Sequence, residues 1–171
     1  MESRHTFMGH PLHQMLIVFP LGLLGVVPVF DAITLFGGDP IFSRLAYWNI
    51  AAGLIGGVIA AIFGFLDWMQ IPKGTRAERV GTLHGLGNMG VLALFFVAFM
   101  MRRSDPEHLV DMRVFIVEVL AFALAGLTGW LGAELVNRLG VGVADNAHLD
   151  APSSLDPRTA EAVTSAKSSP R

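Results

Sequence analysis

Four stretches of this chain run without charge for long enough to cross a bilayer. An ionised side chain at the bilayer centre is costly, and a helix needs roughly 20 apolar residues to span it. The first run without Asp, Glu, Lys or Arg extends from Phe7 to Phe30, the second from Leu45 to Leu66 and the third from Val80 to Met101. The fourth, Val114 to Val136, contains only Glu118 and Glu134, one near each end. Short polar links separate the runs. The pattern predicts an all-α integral membrane protein: a four-helix up-down bundle with spans near 12–36, 42–69, 80–102 and 112–138.

Composition agrees. Hydrophobic residues make up 53% of the 171 and charged residues only 15%, against about 25% charged in ordinary soluble domains. Four fully apolar helices in so short a chain would leave no amphipathic helices to cover them in water. The first run is too long for the apolar region of a secretory leader and precedes no A-x-A cleavage site. With no cysteine, disulfides, thiolate metal sites, iron–sulfur clusters and a cysteine nucleophile are excluded. A net charge of −2 gives no electrostatic case for nucleic acid.

The links carry stop signals: Gly37-Gly38-Asp39-Pro40, Ile71-Pro72-Lys73-Gly74, and Arg102-Arg103-Ser104-Asp105-Pro106. From Ala144 onward the composition shifts to Ala, Ser, Pro, Asp and Thr, so a transmembrane domain over 1–143 is expected to end in a disordered tail over 144–171. Tyr47, Trp48, Trp68 and Trp130 fall where an interfacial aromatic belt would place them. Gly53 with Gly57, Gly81 with Gly85, and Gly129 with Ala133 have the spacing of close helix packing. Pro20 and Pro28 predict a bent first span. An even number of spans puts both termini on one side. Arg4, Lys73, Arg76, Arg79 and Arg138 lie on that side, against Arg44, Arg102, Arg103 and Arg113 on the other, which points to cytoplasmic termini.

Up-down topology also sorts the polar residues by depth. His10 and His13 open the first span, Asp67 closes the second, His84 opens the third and Glu134 closes the fourth. All five are therefore expected to converge at the terminal-side end of the bundle, with His10 and His13 on one face of a helix. Ionisable groups in spans normally face the interior and pair with each other. Two ligand chemistries suit such a set. A b-type haem would take His13 and His84, or His10 and His84, as axial ligands, with Gly85 and Gly87 clearing space and Arg76, Arg79 or Lys73 holding propionates. A transition metal would take His10, His13 and His84 with Asp67 or Glu134. A third reading has no cofactor, only a proton relay or structural network among Asp67, His84 and Glu134. His108, in the opposite loop, is expected to be a bystander.

Gly9-His10-Pro11-Leu12-His13-Gln14-Met15-Leu16, followed by Phe19-Pro20-Leu21-Gly22-Leu23, resembles the opening of a bacterial membrane family known as domain of unknown function two-two-three-one. Gly64-Phe65-Leu66-Asp67-Trp68, Leu83-His84-Gly85-Leu86-Gly87-Asn88, Gly129-Trp130-Leu131-Gly132-Ala133-Glu134 and Gly140-Val141-Gly142-Val143 continue the likeness, which covers about residues 5–143. The resemblance implies a four-span protein of the bacterial inner membrane, of uncharacterised function, related to membrane b-type cytochromes. Gln14 stands where that family often has proline, and Leu139 where it often has histidine.

The functional readings are thus a redox protein holding haem or a metal in electron transfer, or a cofactor-free accessory subunit whose partners are the lipid bilayer and other membrane subunits or a second copy. No catalytic triad, phosphate loop or nucleotide fingerprint is present, so independent enzymatic activity is not expected.

Overall fold

Proline cannot donate a backbone hydrogen bond, so Pro20 and Pro28 each remove one rung of the first helix. The computed structural model, which describes residues 1–156, divides that span into α1 (Leu12–Leu16), α2 (Val18–Gly25) and α3 (Val27–Leu35). The joints at Ile17 and Val26 keep right-handed helical angles, and together the segments form one span, Leu12–Leu35. The remaining spans are unbroken: α4 (Ile41–Trp68), α5 (Arg76–Arg102) and α6 (Met112–Asn137). All four have the length and apolarity to cross a membrane.

The helix ends match the expected ones to within a residue except at the start of α5, which begins at Arg76 rather than at 80. The cause is a cap. Thr75 Oγ1 accepts from the Glu78 N–H at 3.1 Å, and the Glu78 carboxylate reaches back to the Gly74 N–H at 2.6 Å, a variant of the reciprocal box at helix starts. Helix α6 is capped by Asp111, whose carboxylate accepts from the N–H groups of Arg113 and Val114 at 2.8 and 2.9 Å.

Helix α4 packs against all three segments of the first span and against α5; α5 pairs with α6, and α6 closes the ring on α3. The first span therefore stands diagonally opposite α5, and α4 opposite α6. Close approach runs through Gly53 and Gly57. A Cβ on Gly53 would lie 2.6 Å from Leu24, and one on Gly57 2.6 Å from Leu92. Gly85 and Gly129 instead face outward with nothing within 4 Å, so those two of the expected packing positions are not seams within the bundle. Leu24, Val27, Ile50, Phe95 and Ala121 form the core. Phe19, Ile55, Phe96 and Leu127 point outward, as side chains bathed in lipid must.

The buried positions repeat. Pro20, Leu24, Val27 and Asp31 in the first span are spaced as Val91, Phe95, Ala98 and Arg102 are in α5. Ala46, Ile50, Gly53 and Ala60 in α4 are spaced as Val114, Glu118, Ala121 and Thr128 are in α6. His13 precedes Asp31 by the same interval that His84 precedes Arg102, about five helical turns. The bundle is two helical hairpins in one packing register, each starting from the same side.

Ahead of α1, strands β1 (Thr6–Phe7) and β2 (His10–Pro11) form an antiparallel hairpin over Met8 and Gly9. The chain closes on itself at this end: the Met1 ammonium donates to Gly140 O at 3.0 Å, and the Gly142 N–H to Met1 O at 2.9 Å. Residues 144–156 form turns, with the Asp145 N–H donating to Glu2 at 3.0 Å; the rest of the expected tail lies outside the described residues.

Candidate functional site

The terminal-side end of the bundle separates the five expected ligands. His10 belongs to β2 rather than to a helix, so it does not share a helical face with His13; it is exposed, with Ser154 Oγ 3.4 Å from its Nε2. Asp67 accepts from Ser3 Oγ and lies 3.5 Å from His5 Nδ1. Glu134 is bound at 2.6 Å by Arg76. Among the described residues no three His, Asp or Glu side chains gather into a set able to hold a metal ion. The expected convergence of the five side chains, and with it a metal held by the three histidines with Asp67 or Glu134, is therefore corrected: Ser3 and His5 take Asp67, and Arg76 takes Glu134.

His13 and His84 behave differently from the rest, and alike. His13 Nδ1 lies 2.9 Å from the carbonyl of Ala60 on α4, and its ring rests on Gly64, where a Cβ would come within 2.8 Å of it. His84 Nδ1 lies 2.8 Å from the carbonyl of Thr128 on α6, and its ring rests on Gly132, where a Cβ would come within 2.9 Å. In each hairpin the accepting carbonyl precedes the seat glycine by one helical turn. A carbonyl oxygen can only accept, so in each ring Nδ1–H is the donor of this bond, which leaves Nε2 as the nitrogen free for another partner. The Asn88 amide nitrogen lies 3.1 Å from His84 Nε2, while Asn88 Oδ1 accepts from Thr128 Oγ1 at 3.1 Å.

The groups expected around a macrocycle are placed less favourably. Gly85 faces outward, and Gly87 is filled, since a Cβ there would lie 2.3 Å from the Thr128 methyl. Arg76 is engaged by Glu134, Lys73 pairs with Glu78 at 3.1 Å and lies over the Trp68 ring, and Arg79 is exposed on the first turn of α5.

The opposite end holds a polar cluster that the search for histidines passed over. Arg102 is fully buried. It donates to Asp31 at 2.7 and 3.2 Å, to Glu118 at 3.0 Å, to Ser43 Oγ at 2.9 Å and to the His108 carbonyl at 2.9 and 3.1 Å. Ser43 Oγ donates to Asp31 at 2.9 Å and accepts from the Val110 N–H at 2.8 Å. His108 is no bystander. Its backbone adopts φ of 54°, and its ring stacks on Tyr47 with centroids 3.9 Å apart. Tyr47 is consequently buried between His108 and Phe99 rather than placed in an interfacial belt. The signal was present: Asp31 and Ser43 flank the first link, and Arg102 and Glu118 flank the third, so all four share one depth.

The family model of DUF2231, described as a predicted membrane protein, matches residues 9–145. The chain belongs to that family. No curated protein and no solved structure matches it. Membership of DUF2231 and four spans establish a membrane protein embedded in lipid. The matched region takes in both imidazoles and the whole Arg102 cluster.

Proposed function

We propose that this protein is an electron carrier of the bacterial inner membrane that holds a b-type haem between His13 and His84, with both termini in the cytoplasm. The observation that supports this is the matched seating of two imidazoles on diagonally opposite helices, each with Nδ1 committed to a backbone carbonyl. Histidines that ligate iron commonly donate their other ring nitrogen in this way, which fixes tautomer and orientation. His13 and His84 would be the residues that hold the iron, and Asn88, now 3.1 Å from His84 Nε2, would have to turn away. Of the three cations expected around the macrocycle, Arg79, exposed on the first turn of α5, is the one that would meet a propionate. Bound haem would supply a reversible one-electron couple. The chain's own part is to orient both rings through Ala60 and Thr128, and to surround them with apolar helices that exclude water.

A cofactor-free accessory subunit is the second reading. Gly85 and Gly129, outward-facing with open space around them, support it as sites where another membrane helix could approach. The visible spectrum of detergent-purified protein, expressed with ample haem, separates the two. A Soret band that is lost in both His13→Ala and His84→Ala, and kept in His10→Ala, is expected. A colourless wild-type protein would overturn the haem reading and leave the accessory one.

A further inference from the structure

The Arg102 cluster carries two carboxyl groups and one guanidinium. If both carboxyl groups were ionised, a net negative charge would sit in a site where Asp31, Arg102 and Glu118 are all fully buried. Uncompensated charge inside an apolar bundle is costly enough that such sites neutralise themselves. Two further features bear on how this one does so. Glu118 Oε2 meets no donor among the described residues. The two carboxyl groups also converge on a single nitrogen: Arg102 Nη1 donates to Asp31 Oδ2 at 2.7 Å and to Glu118 Oε1 at 3.0 Å. Two ionised carboxylates held that close on one buried cation repel each other, and a proton on one of them relieves the repulsion.

We propose that Glu118 and Asp31 hold one exchangeable proton between them, making the cluster a proton-binding site inside the membrane. With the proton on Glu118, the acid O–H donates to Asp31, the Asp31 carboxylate balances Arg102, and the cluster is neutral. Release of the proton leaves two carboxylates facing one guanidinium, with one negative charge in excess. From the elements packed on α6, Asp31 of α3 and Arg102 of α5 face Glu118; Ser43 of α4 bonds both Asp31 and Arg102, and Tyr47 and His108 stack nearby. The Arg102 guanidinium lies 6.0 Å from the Tyr47 ring. His108 is half-buried in the link between α5 and α6, and its backbone carbonyl accepts from Arg102. The proposal is independent of any ligand at His13 and His84.

Infrared spectroscopy of the full chain in lipid bilayers, in light and in heavy water, tests it. Wild-type protein at neutral pH should show the band of a protonated carboxyl group, shifted on deuteration. Glu118→Gln should abolish the band while keeping wild-type thermal stability, because the amide N–H reproduces the O–H donated to Asp31. Asp31→Asn should abolish it too, although Glu118 remains, because Glu118 then ionises as the sole counter-ion of Arg102. Asp67→Asn should leave the band unchanged. Absence of the band from wild-type protein, its survival in both Glu118→Gln and Asp31→Asn, or unfolding of Glu118→Gln would overturn the shared proton.

Discussion

Replacing Arg102 with methionine removes the one cation in a site that holds two acids. The side chain and both carboxyl partners are fully buried, so neither the arginine nor its partners can recover hydration when the contact is broken. Methionine fills much of the volume but donates nothing. Asp31 loses both hydrogen bonds from the guanidinium, and the carbonyl of His108 loses its side-chain donor. Removing one member of a buried ion pair typically costs about 3–5 kcal/mol, most of it the penalty of the charge left behind. That corresponds to roughly two to four powers of ten in the ratio of folded to unfolded protein, at about 1.4 kcal/mol per tenfold. Equilibrium unfolding in mixed micelles, followed by circular dichroism, reads this directly. Arg102→Met combined with Asp31→Asn should cost clearly less than the two changes added together, because each single variant already breaks the shared contact. A loss below about 1 kcal/mol for Arg102→Met, or strict additivity in the double variant, would refute the view that the guanidinium neutralises this site.

Three further outcomes are expected. Gly64→Ala and Gly132→Ala place a methyl group within 2.9 Å of the His13 and His84 rings respectively; each should destabilise the bundle by about 1–3 kcal/mol by overpacking and weaken any haem spectrum, whereas Gly129→Ala, facing open space, should do neither. Asp111→Ala should cost about 1 kcal/mol as a lost helix cap; the hydrogen bond from Val114, aided by the Arg113 side chain, holds the Asp111 carboxyl below its ordinary range, so the difference from wild type should be full above about pH 4 and vanish as acid protonates the folded-state carboxylate. Cysteines introduced at Lys73 and Ser104, both exposed in links at opposite ends of the bundle, should react with an impermeant reagent from opposite sides of the membrane, Lys73 from the side of the termini.

The spans were legible because lipid imposes one demand on every residue between two charges, and that demand shows in the sequence as an uncharged run. The start of α5 was not, since Arg76, Glu78 and Arg79 read as a loop by charge while Thr75 and Glu78 read as a helix cap by chemistry. Depth was legible and direction was not. His13, Asp67, His84 and Glu134 do lie toward one end of the bundle, but rotation about each helix axis and the neighbours brought in by the chain ends decide who meets whom. Thus Asp67 turns to Ser3 and His5, and Glu134 to Arg76, leaving the two imidazoles without carboxylate partners. The Arg102 cluster was hidden for a different reason. Arg102 sits at the boundary of its uncharged run, where charge is ordinarily solvated, and only its alignment with Asp31, Ser43 and Glu118 across three other helices reveals that it points inward. It also leaves the count of cations available to orient the chain.

The two hairpins share one register, yet the two ends of the bundle use that register in opposite ways. At the terminal side the equivalent positions are identical: His13 and His84 each bind a carbonyl of the following helix and each rest on a glycine one turn further along it. At the other end the equivalent positions are complementary: Asp31 in one hairpin corresponds to Arg102 in the other, and Glu118 corresponds to the apolar Ile50. Two copies of a hairpin with aspartate at both positions would repel, and two with arginine would do so as well. An acid in one half and a base in the other let the two hairpins of a single chain close the bundle on an ion pair. Complementarity at this end thus specifies which hairpins pack together. At the far end the like pair is held the same way in both halves, each ring on a backbone carbonyl and a glycine of the following helix.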